Sequence, residues 1–595
     1  MQNNVNLRFY AKTVLFSLIL TFKAAKLMKK MIFTSKFKKA LAAFSLIIAL
    51  SVGVAYTPDY FEISKNLDIF YSVYKELNVG YVDGTKPGQL MKTGIDAMLN
   101  SLDPYTVYYT ENDIEDYRFM TTGEYGGIGA TVNDINGKII IADPYEGFAA
   151  YKAGLRAGDQ IVGVNNINVE GKKSDDIGSL LKGQAGTPLK LRVIKAGQTS
   201  ATEVNLNREE IKTKAVPYSG MLPNGETGYI KLVSFTDNCS NEVKEAMLAL
   251  KAKGCKNLIL DLRGNLGGLL MEAVNIVNFF TEKGHEVVYT KGKIAEWDKT
   301  YLSVNNPVDL QIPLVVLVDE NSASASEIVS GALQDLDRAI ILGQRTYGKG
   351  LVQQTKDLVY NAKIKFTVAK YYIPSGRCVQ ALDYSNKDEE GRVEKVPDSL
   401  ITAFKTKNGR IVYDGAGVMP DVKTKEEKFE NILISLISKF HIFNYATQYS
   451  LNHKEIAPVK DFQLTESDYQ DFVNYLKDKD YSYKTKSELE LADLRKNAEE
   501  EKSFSEMKPE FDALLNKMTA TKKEDLIKYK ATIKKFLEEE IASRYYFQKG
   551  RVEFSLKNDD DLKEATALIN DPFKVKNILT AIVPPTKPFN VKKKF

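Results

Sequence analysis

Leu314-Val315-Val316-Leu317-Val318-Asp319-Glu320-Asn321-Ser322-Ala323-Ser324-Ala325-Ser326-Glu327 reads as a buried strand, a turn and the first turn of a helix. An unbroken apolar run suits a strand covered on both faces, as in parallel sheets. Ser324-x-x-Glu327 then matches a capping box, which starts helices of every kind and by itself implies no chemistry. Ile328, Gly331, Ala332 and Leu336 continue on or near one face of that helix. The pattern still places a hydroxyl at a strand-to-helix turn. The unpaired N–H groups and positive end of the helix there suit a developing oxyanion. The N–H of Ala325 is the natural first donor. Leu258-Ile259-Leu260 is a second apolar run of the same type, and strands alternating with helices over 213–424 argue for an α/β layer.

A serine nucleophile needs a base. The chain has three histidines, His285, His441 and His453, scattered so widely that no Asp–His–Ser order can be drawn. Lysine is the alternative, provided burial lowers its pKa. Lys349 lies in Tyr347-Gly348-Lys349-Gly350-Leu351-Val352-Gln353-Gln354, among small and apolar neighbours that allow close packing around an amine. If 349–353 is extended, Lys349 and Gln353 point to the same face, where the Gln353 amide oxygen can hold the neutral amine. Gly343 to Lys349 also fits the first seven positions of a phosphate-binding loop. Gly350 stands where Ser or Thr must hold magnesium, and the following residues look extended rather than helical, so nucleotide binding is set aside.

Ser322-Ala323-Ser324-Ala325-Ser326-Glu327, followed by Gly348-Lys349-Gly350-x-Val352-Gln353, resembles the signature pair of the C-terminal processing (tail-specific) peptidases. Asp261-Leu262-Arg263-Gly264-Asn265-Leu266-Gly267-Gly268 resembles that family's Asp-Leu-Arg-x-Asn-x-Gly-Gly motif, with Leu266 where proline or glycine is more usual. Tyr371 to Arg377 and Gly417 to Asp421 are similar to further family segments. The likeness extends loosely over residues 60–425. It implies a serine endopeptidase with a ClpP/crotonase-like α/β core and no metal or cofactor. Ser324 would be the nucleophile, Lys349 the general base and Gln353 the orienting group. Ala325 and either Gly267 or Gly268 would supply oxyanion N–H groups.

Ala153 to Asn165 looks like the interior of a PDZ domain, and Gly126-Gly127-Ile128-Gly129 resembles its carboxylate-binding loop. Successive backbone N–H groups in such a loop can bind a chain-terminal carboxylate, and the neighbouring strand edge can pair with an extended peptide. A plain glycine hairpin without a ligand is the competing reading. The implied partners are protein substrates with accessible, apolar C-termini.

The whole reads as a multidomain α/β protein. Residues 58–120 are helical, with Ile63, Leu67, Phe70, Tyr74 and Leu77 on one face and a turn at Asp103-Pro104. Residues 121–212 form the PDZ-like β-rich domain, with a hairpin at Asn136-Gly137. Residues 213–424 are the protease core. Residues 425–595 are a charged helical extension whose stripe Leu526, Tyr529, Ile533, Phe536, Leu537 and Ile541 packs within its own domain. A net charge of +5 on 595 residues is too weak to imply nucleic acid. Cys239, Cys255 and Cys378 form neither a zinc pattern nor a disulfide framework.

Residues 1–55 read as a targeting region. Lys36, Lys38 and Lys39 precede an uncharged run over 40–55 that ends in Gly53-Val54-Ala55, the pattern of an export signal. Met28 or Met31 would make a more conventional start for it than Met1, and the earlier run Val14 to Phe22 is shorter. The run is marginal for a span, so cleavage and retention as an inner-membrane anchor both stay open. The expected compartment is the periplasm or cell envelope. Two other classes compete with the enzyme. A catalytically inactive PDZ scaffold would be expected to lose Ser324, Lys349 or Gln353, and all three are present. An acyl-CoA-handling relative would use oxyanion N–H groups without a Ser–Lys pair.

Overall fold

The computed structural model describes residues 58–387, 392–426, 428–522 and 524–580. The expected targeting region, residues 1–55, lies outside them. Among the described residues no helix is long and apolar enough to cross a membrane.

Of the described residues, those up to Ala97 belong to one compact unit and those from Met98 onward to a second. The first is built on the helix Pro58–Gly80 and the start of the helix Pro87–Asn100. Proline suits the first helical position because its missing N–H has no partner there in any case. Ile63, Leu67 and Phe70 of the first helix are exposed.

The second unit begins with a turn held by Asp103. Its Oδ1 accepts the N–H groups of Tyr105 (2.8 Å) and Thr106 (2.9 Å), and Oδ2 accepts the Thr106 hydroxyl (3.1 Å). The short strand Val107–Tyr109 that follows pairs antiparallel with Lys363–Tyr372.

The β-rich domain expected to be PDZ-like is a sheet in the order Ala130–Ile135, Lys138–Pro144, Gln160–Val164, Pro188–Ile194, Ala201–Asn207. Asn136 (φ 55°) and Gly137 (φ 75°) join the first two strands, both left-handed as a tight hairpin of matching twist requires. Ile139, Ile141, Leu155, Ile161, Leu191 and Val193 fill its core with Ile177 and Leu181 of the helix Ser174–Leu181. Glu124–Gly127 pairs with Glu209–Lys212 where the chain enters and leaves the domain.

The α/β layer expected over 213–424 is a six-stranded sheet in the order Tyr218–Met221, Thr227–Lys231, Asn257–Asp261, Leu314–Val318, Ile340–Gly343, Val422–Lys423, parallel except at its first pair. Alternate side chains of one strand face opposite sides. Leu258, Leu260, Val316 and Val318 pack with the helices Cys239–Ala252, Leu270–Asn278 and Ala325–Asp335. Ile259, Val315 and Leu317 pack on the other side with Leu562, Ala565, Leu568 and Ile569 of the helix Asp560–Ile569. Both apolar runs are therefore covered on both faces, and the far C-terminal part of the chain supplies the second cover. A separate antiparallel sheet, with Leu351–Asp357, Lys363–Tyr372 and Glu286–Gly292, flanks the core.

From Asn431 the described chain is helical. Leu526, Ile533, Leu537 and Ile541 of the amphipathic stripe are buried in one cluster with Ile432, Leu433, Tyr445 and Phe472. That helical part also touches the PDZ-like domain, where Phe547 meets Tyr151 edge to face at 5.3 Å.

Candidate active site

Ser324 sits between the strand Leu314–Val318 and the helix Ala325–Asp335 with φ 55° and ψ −110°. A residue with a Cβ is strained there, so the surrounding bonds must hold it. Tyr371, fully buried, donates its hydroxyl to the Ser324 carbonyl at 3.1 Å. The Asn265 carbonyl accepts the Ala323 N–H (3.0 Å) and the Ser326 hydroxyl (2.8 Å), and Asp319 accepts the Gly264 N–H (2.9 Å). The serine turn and the glycine-rich loop 261–268 are thereby stitched together.

Glu327 joins the serine to the lysine. Its side chain is buried, and Oε2 accepts the backbone N–H groups of both Ser324 and Lys349, each at 2.8 Å. Oε1 accepts the Thr346 hydroxyl (2.6 Å) and the Gly348 N–H (2.7 Å). Burial pushes this carboxyl above the ordinary glutamate range, and the four donors offset part of that rise. The sequence exposes Glu327 only as a capping residue. Its reach to the lysine loop was not visible there, because that loop follows a full helix and strand later.

Lys349 projects its Nζ over the Tyr105 ring, 4.2 Å from the centroid. Burial lowers its pKa to about 8, helped by Lys365 and opposed by Glu327 and Asp103. Close packing around it depends on two glycines. A Cβ at Gly348 (φ 90°) would lie 2.4 Å from the Ala381 Cβ, and one at Gly350 would lie 2.8 Å from the Gln380 N. Tyr105 is fixed in turn by Tyr347 and Tyr384, whose hydroxyls lie 3.3 Å from its own. Sequence reasoning missed Tyr105. The Asp103-Pro104 turn marks its position but gives no sign that the turn lands against Lys349.

Gln353 lies within the strand Leu351–Asp357. The strand begins at Leu351, not at 349, and its pairing shifts between Val352 and Gln353. Such a bulge resets which face later residues occupy, so simple alternation does not set Gln353 beside Lys349. Its Nε2 donates to Thr367 Oγ1 at 3.3 Å, and the Thr367 N–H donates to Thr106 Oγ1, also at 3.3 Å, next to Tyr105. Among the described residues no hydrogen bond joins Lys349 Nζ to Ser324 Oγ or to Gln353. The apparent phosphate-loop segment ends in this strand and not in a helix.

Gly267 (φ 98°) lies against the serine turn. A Cβ there would stand 2.6 Å from the Ala323 O, 2.8 Å from the Ser324 Cβ and 2.9 Å from the Ala325 N. Its own N–H donates to Asn265 Oδ1 at 2.9 Å. The N–H groups of Gly268 and Ala325, by contrast, have no acceptor among the described residues. Leu266 between these features is 70% exposed.

In the PDZ-like domain the expected carboxylate loop divides in two. The Gly126 N–H is taken by Glu115 Oε2 at 2.8 Å, and Gly127 closes a strand opposite Glu209. Ile128 and Gly129 receive bonds at their carbonyls from Ala150 and Tyr145, each at 2.8 Å, while their N–H groups have no acceptor among the described residues. His441 bonds the Asp480 carbonyl and His453 the Tyr449 carbonyl, both in the helical C-terminal part.

Comparison with known proteins agrees with this architecture. Residues 226–385 match the model of peptidase family S41, 140–195 match a PDZ domain, and 432–569 match the family described as "Probable PDZ-protease, C-terminal helical domain". A CtpA-like serine protease of Staphylococcus aureus (strain N315) is 33% identical over 430 residues, spanning 70% of this chain and 82% of that one. The carboxy-terminal-processing protease of Bartonella bacilliformis is 34% identical over 322 residues, spanning 53% and 73%. A solved photosystem II D1 C-terminal processing protease is 26% identical, covering 60% of this chain and 92% of its own, with a TM-score of 0.32. Fold and site define a PDZ-containing serine protease. The chain belongs to the C-terminal processing proteases of peptidase family S41.

Proposed function

We propose that this protease takes the free C-terminus of an exported or periplasmic protein into its PDZ domain and cleaves peptide bonds near that end. Ser324 is the nucleophile and Lys349 the general base. The observation that carries this reading is the Glu327 carboxylate, whose single oxygen takes the N–H of both residues.

In this mechanism the neutral Lys349 amine accepts the Ser324 proton as Oγ bonds to the substrate carbonyl carbon. The resulting oxyanion faces the N–H groups of Ala325 and Gly268, two donors beside the serine without an acceptor among the described residues. Gly267 serves by having no Cβ, which would otherwise crowd that space. The C–N bond then breaks as the Lys349 ammonium gives its proton to the leaving amine. Water, giving a proton to the same amine, then bonds to the acyl carbon, and the Lys349 ammonium returns that proton to Ser324 Oγ as the acyl C–Oγ bond breaks. Burial and the Lys365 charge favour the neutral amine that this step requires. Gln353, whose amide nitrogen donates to Thr367 and leaves its amide oxygen without a donor among the described residues, would turn that oxygen to the amine when substrate is bound. The N–H groups of Ile128 and Gly129 receive the substrate carboxylate.

The test is cleavage of a loosely folded protein with a free, apolar C-terminus, with products mapped by mass spectrometry. Wild type should release fragments from the C-terminal end, and Ser324→Ala should release none. Undiminished cleavage by purified Ser324→Ala, free of other proteases, would overturn the assignment.

A further inference from the structure

We propose that Asp559 and Asp561, at the start of the helix Asp560–Ile569, are positioning residues for the catalytic loop 261–268, acting through Arg263. The proposal rests on the Ser324–Lys349 reading and extends it to the far end of the chain.

Arg263 is gripped from two sides. Within its own motif, Nε lies 3.1 Å from Asp261 Oδ1 and Nη2 lies 2.7 Å from Asp261 Oδ2. From the C-terminal region, Asp559 accepts from Nη1 (3.1 Å) and Nη2 (2.5 Å), and Asp561 accepts from Nη1 (3.4 Å). The Arg263 side chain is 19% exposed, so this is a largely desolvated fork-to-fork contact. Asp261 is buried and also receives the Tyr229 hydroxyl (2.7 Å) and Lys231 Nζ (3.1 Å). Burial pushes its carboxyl up, and Arg263 and Lys231 more than offset that. Lys231 Nζ further donates to the Arg263 carbonyl at 2.7 Å. Two cations thus meet three carboxylates at the root of the loop. With both C-terminal aspartates gone, the two cations would share Asp261 alone.

The loop that Arg263 roots does the work assigned above. Gly264 and Asn265 bind the serine turn, Gly267 leaves the space beside Ser324, and Gly268 offers its N–H. On the other side, the position of Asp559 is set by the fold. It caps its helix by accepting the Leu562 N–H at 2.9 Å, and that helix is seated on the core sheet by Leu562, Ala565, Leu568 and Ile569. Arg263 therefore ties the oxyanion loop to a rigid body built from the end of the chain. Small displacements of catalytic groups are costly, with about a hundredfold loss for a shift of about 1 Å.

The test uses the full chain carrying Asp559→Asn and Asp561→Asn together. Asparagine caps a helix as well as aspartate does, so the helix is retained while the charges are lost. Steady-state kinetics on a free-acid peptide, thermal melting and Ser324→Ala are run alongside. Ile533→Val, which trims the core of the helical region away from Arg263, controls for stability alone. The expected result is a kcat lower by about ten- to a hundredfold with KM within about twofold. Asp559→Glu with Asp561→Glu should recover part of the rate, and Ile533→Val should keep wild-type kcat. Wild-type kcat in the double Asn variant, or an equal loss in Ile533→Val, would overturn the proposal. Cleavage by Ser324→Ala would instead overturn the reading beneath it.

Discussion

At the start of the helix Ala325–Asp335 a buried carboxylate accepts four hydrogen bonds, two of them from the residues proposed to share a proton. Glu327→Gln keeps the shape but sets an N–H₂ against at least one N–H donor. Hydrogen bonds to a charged group are worth about 1.5–3 kcal/mol each, so the variant should lose about 3 kcal/mol of stability. It should also lose at least about tenfold in kcat, because Ser324 and Lys349 lose their common anchor. Denaturant unfolding and steady-state kinetics check both, and wild-type values in either would show that the anchor is dispensable. A second expectation belongs to Lys349. Only its neutral form can act as base, and burial sets its pKa at about 8. kcat/KM should rise about tenfold per pH unit up to about pH 8 and then level. The folded state also binds fewer protons than the unfolded one above that pKa, so stability from this group should rise with pH from about 8 toward the ordinary lysine range. A pH–rate profile already flat from pH 6 would contradict the lysine base.

At the scale of elements, the loop 261–268 and the serine turn must approach without side chains between them. Gly267→Ala would add a Cβ 2.6–2.9 Å from three atoms of the serine turn, at a φ of 98°. Kinetics should show a loss of kcat of at least about a hundredfold, and melting a loss of about 1–3 kcal/mol. The strand–turn–helix around Ser324 was legible in sequence because an apolar run followed by a capping pair is a local signal. Both covered strands and the Asn136-Gly137 hairpin were legible for the same reason. Lys349 could be picked out by its glycine neighbours, which do prove to be close packing points. Contacts made across the fold were not legible. Tyr105 reaches Lys349 only because Asp103 shapes a distant turn, and the Gln353 bulge depends on how its strand pairs with Lys363–Tyr372. The division of the Gly126–Gly129 loop was equally hidden, since Glu115 comes from another element.

For the whole molecule, the PDZ domain should confer preference for a chain end. The N–H groups of Ile128 and Gly129 would favour a carboxylate over an amide. Charge-assisted bonds of this kind, diluted by exposure, predict about tenfold tighter binding of a free-acid peptide, or about 1.4 kcal/mol. Titration of Ser324→Ala with paired acid and amide peptides measures it, and equal affinities would mean that the domain does not read the carboxylate. The proteolytic account would survive that result but the tail preference would not. The proposed proteolysis rests on one pair of side chains, and turnover of a single free-acid peptide at pH 8 by wild type, Ser324→Ala and Lys349→Ala tests it most directly. Both variants should fold and should lose at least about a thousandfold in kcat, since a nucleophile and its base fail as a unit. Near-wild-type turnover by either purified variant would contradict the account.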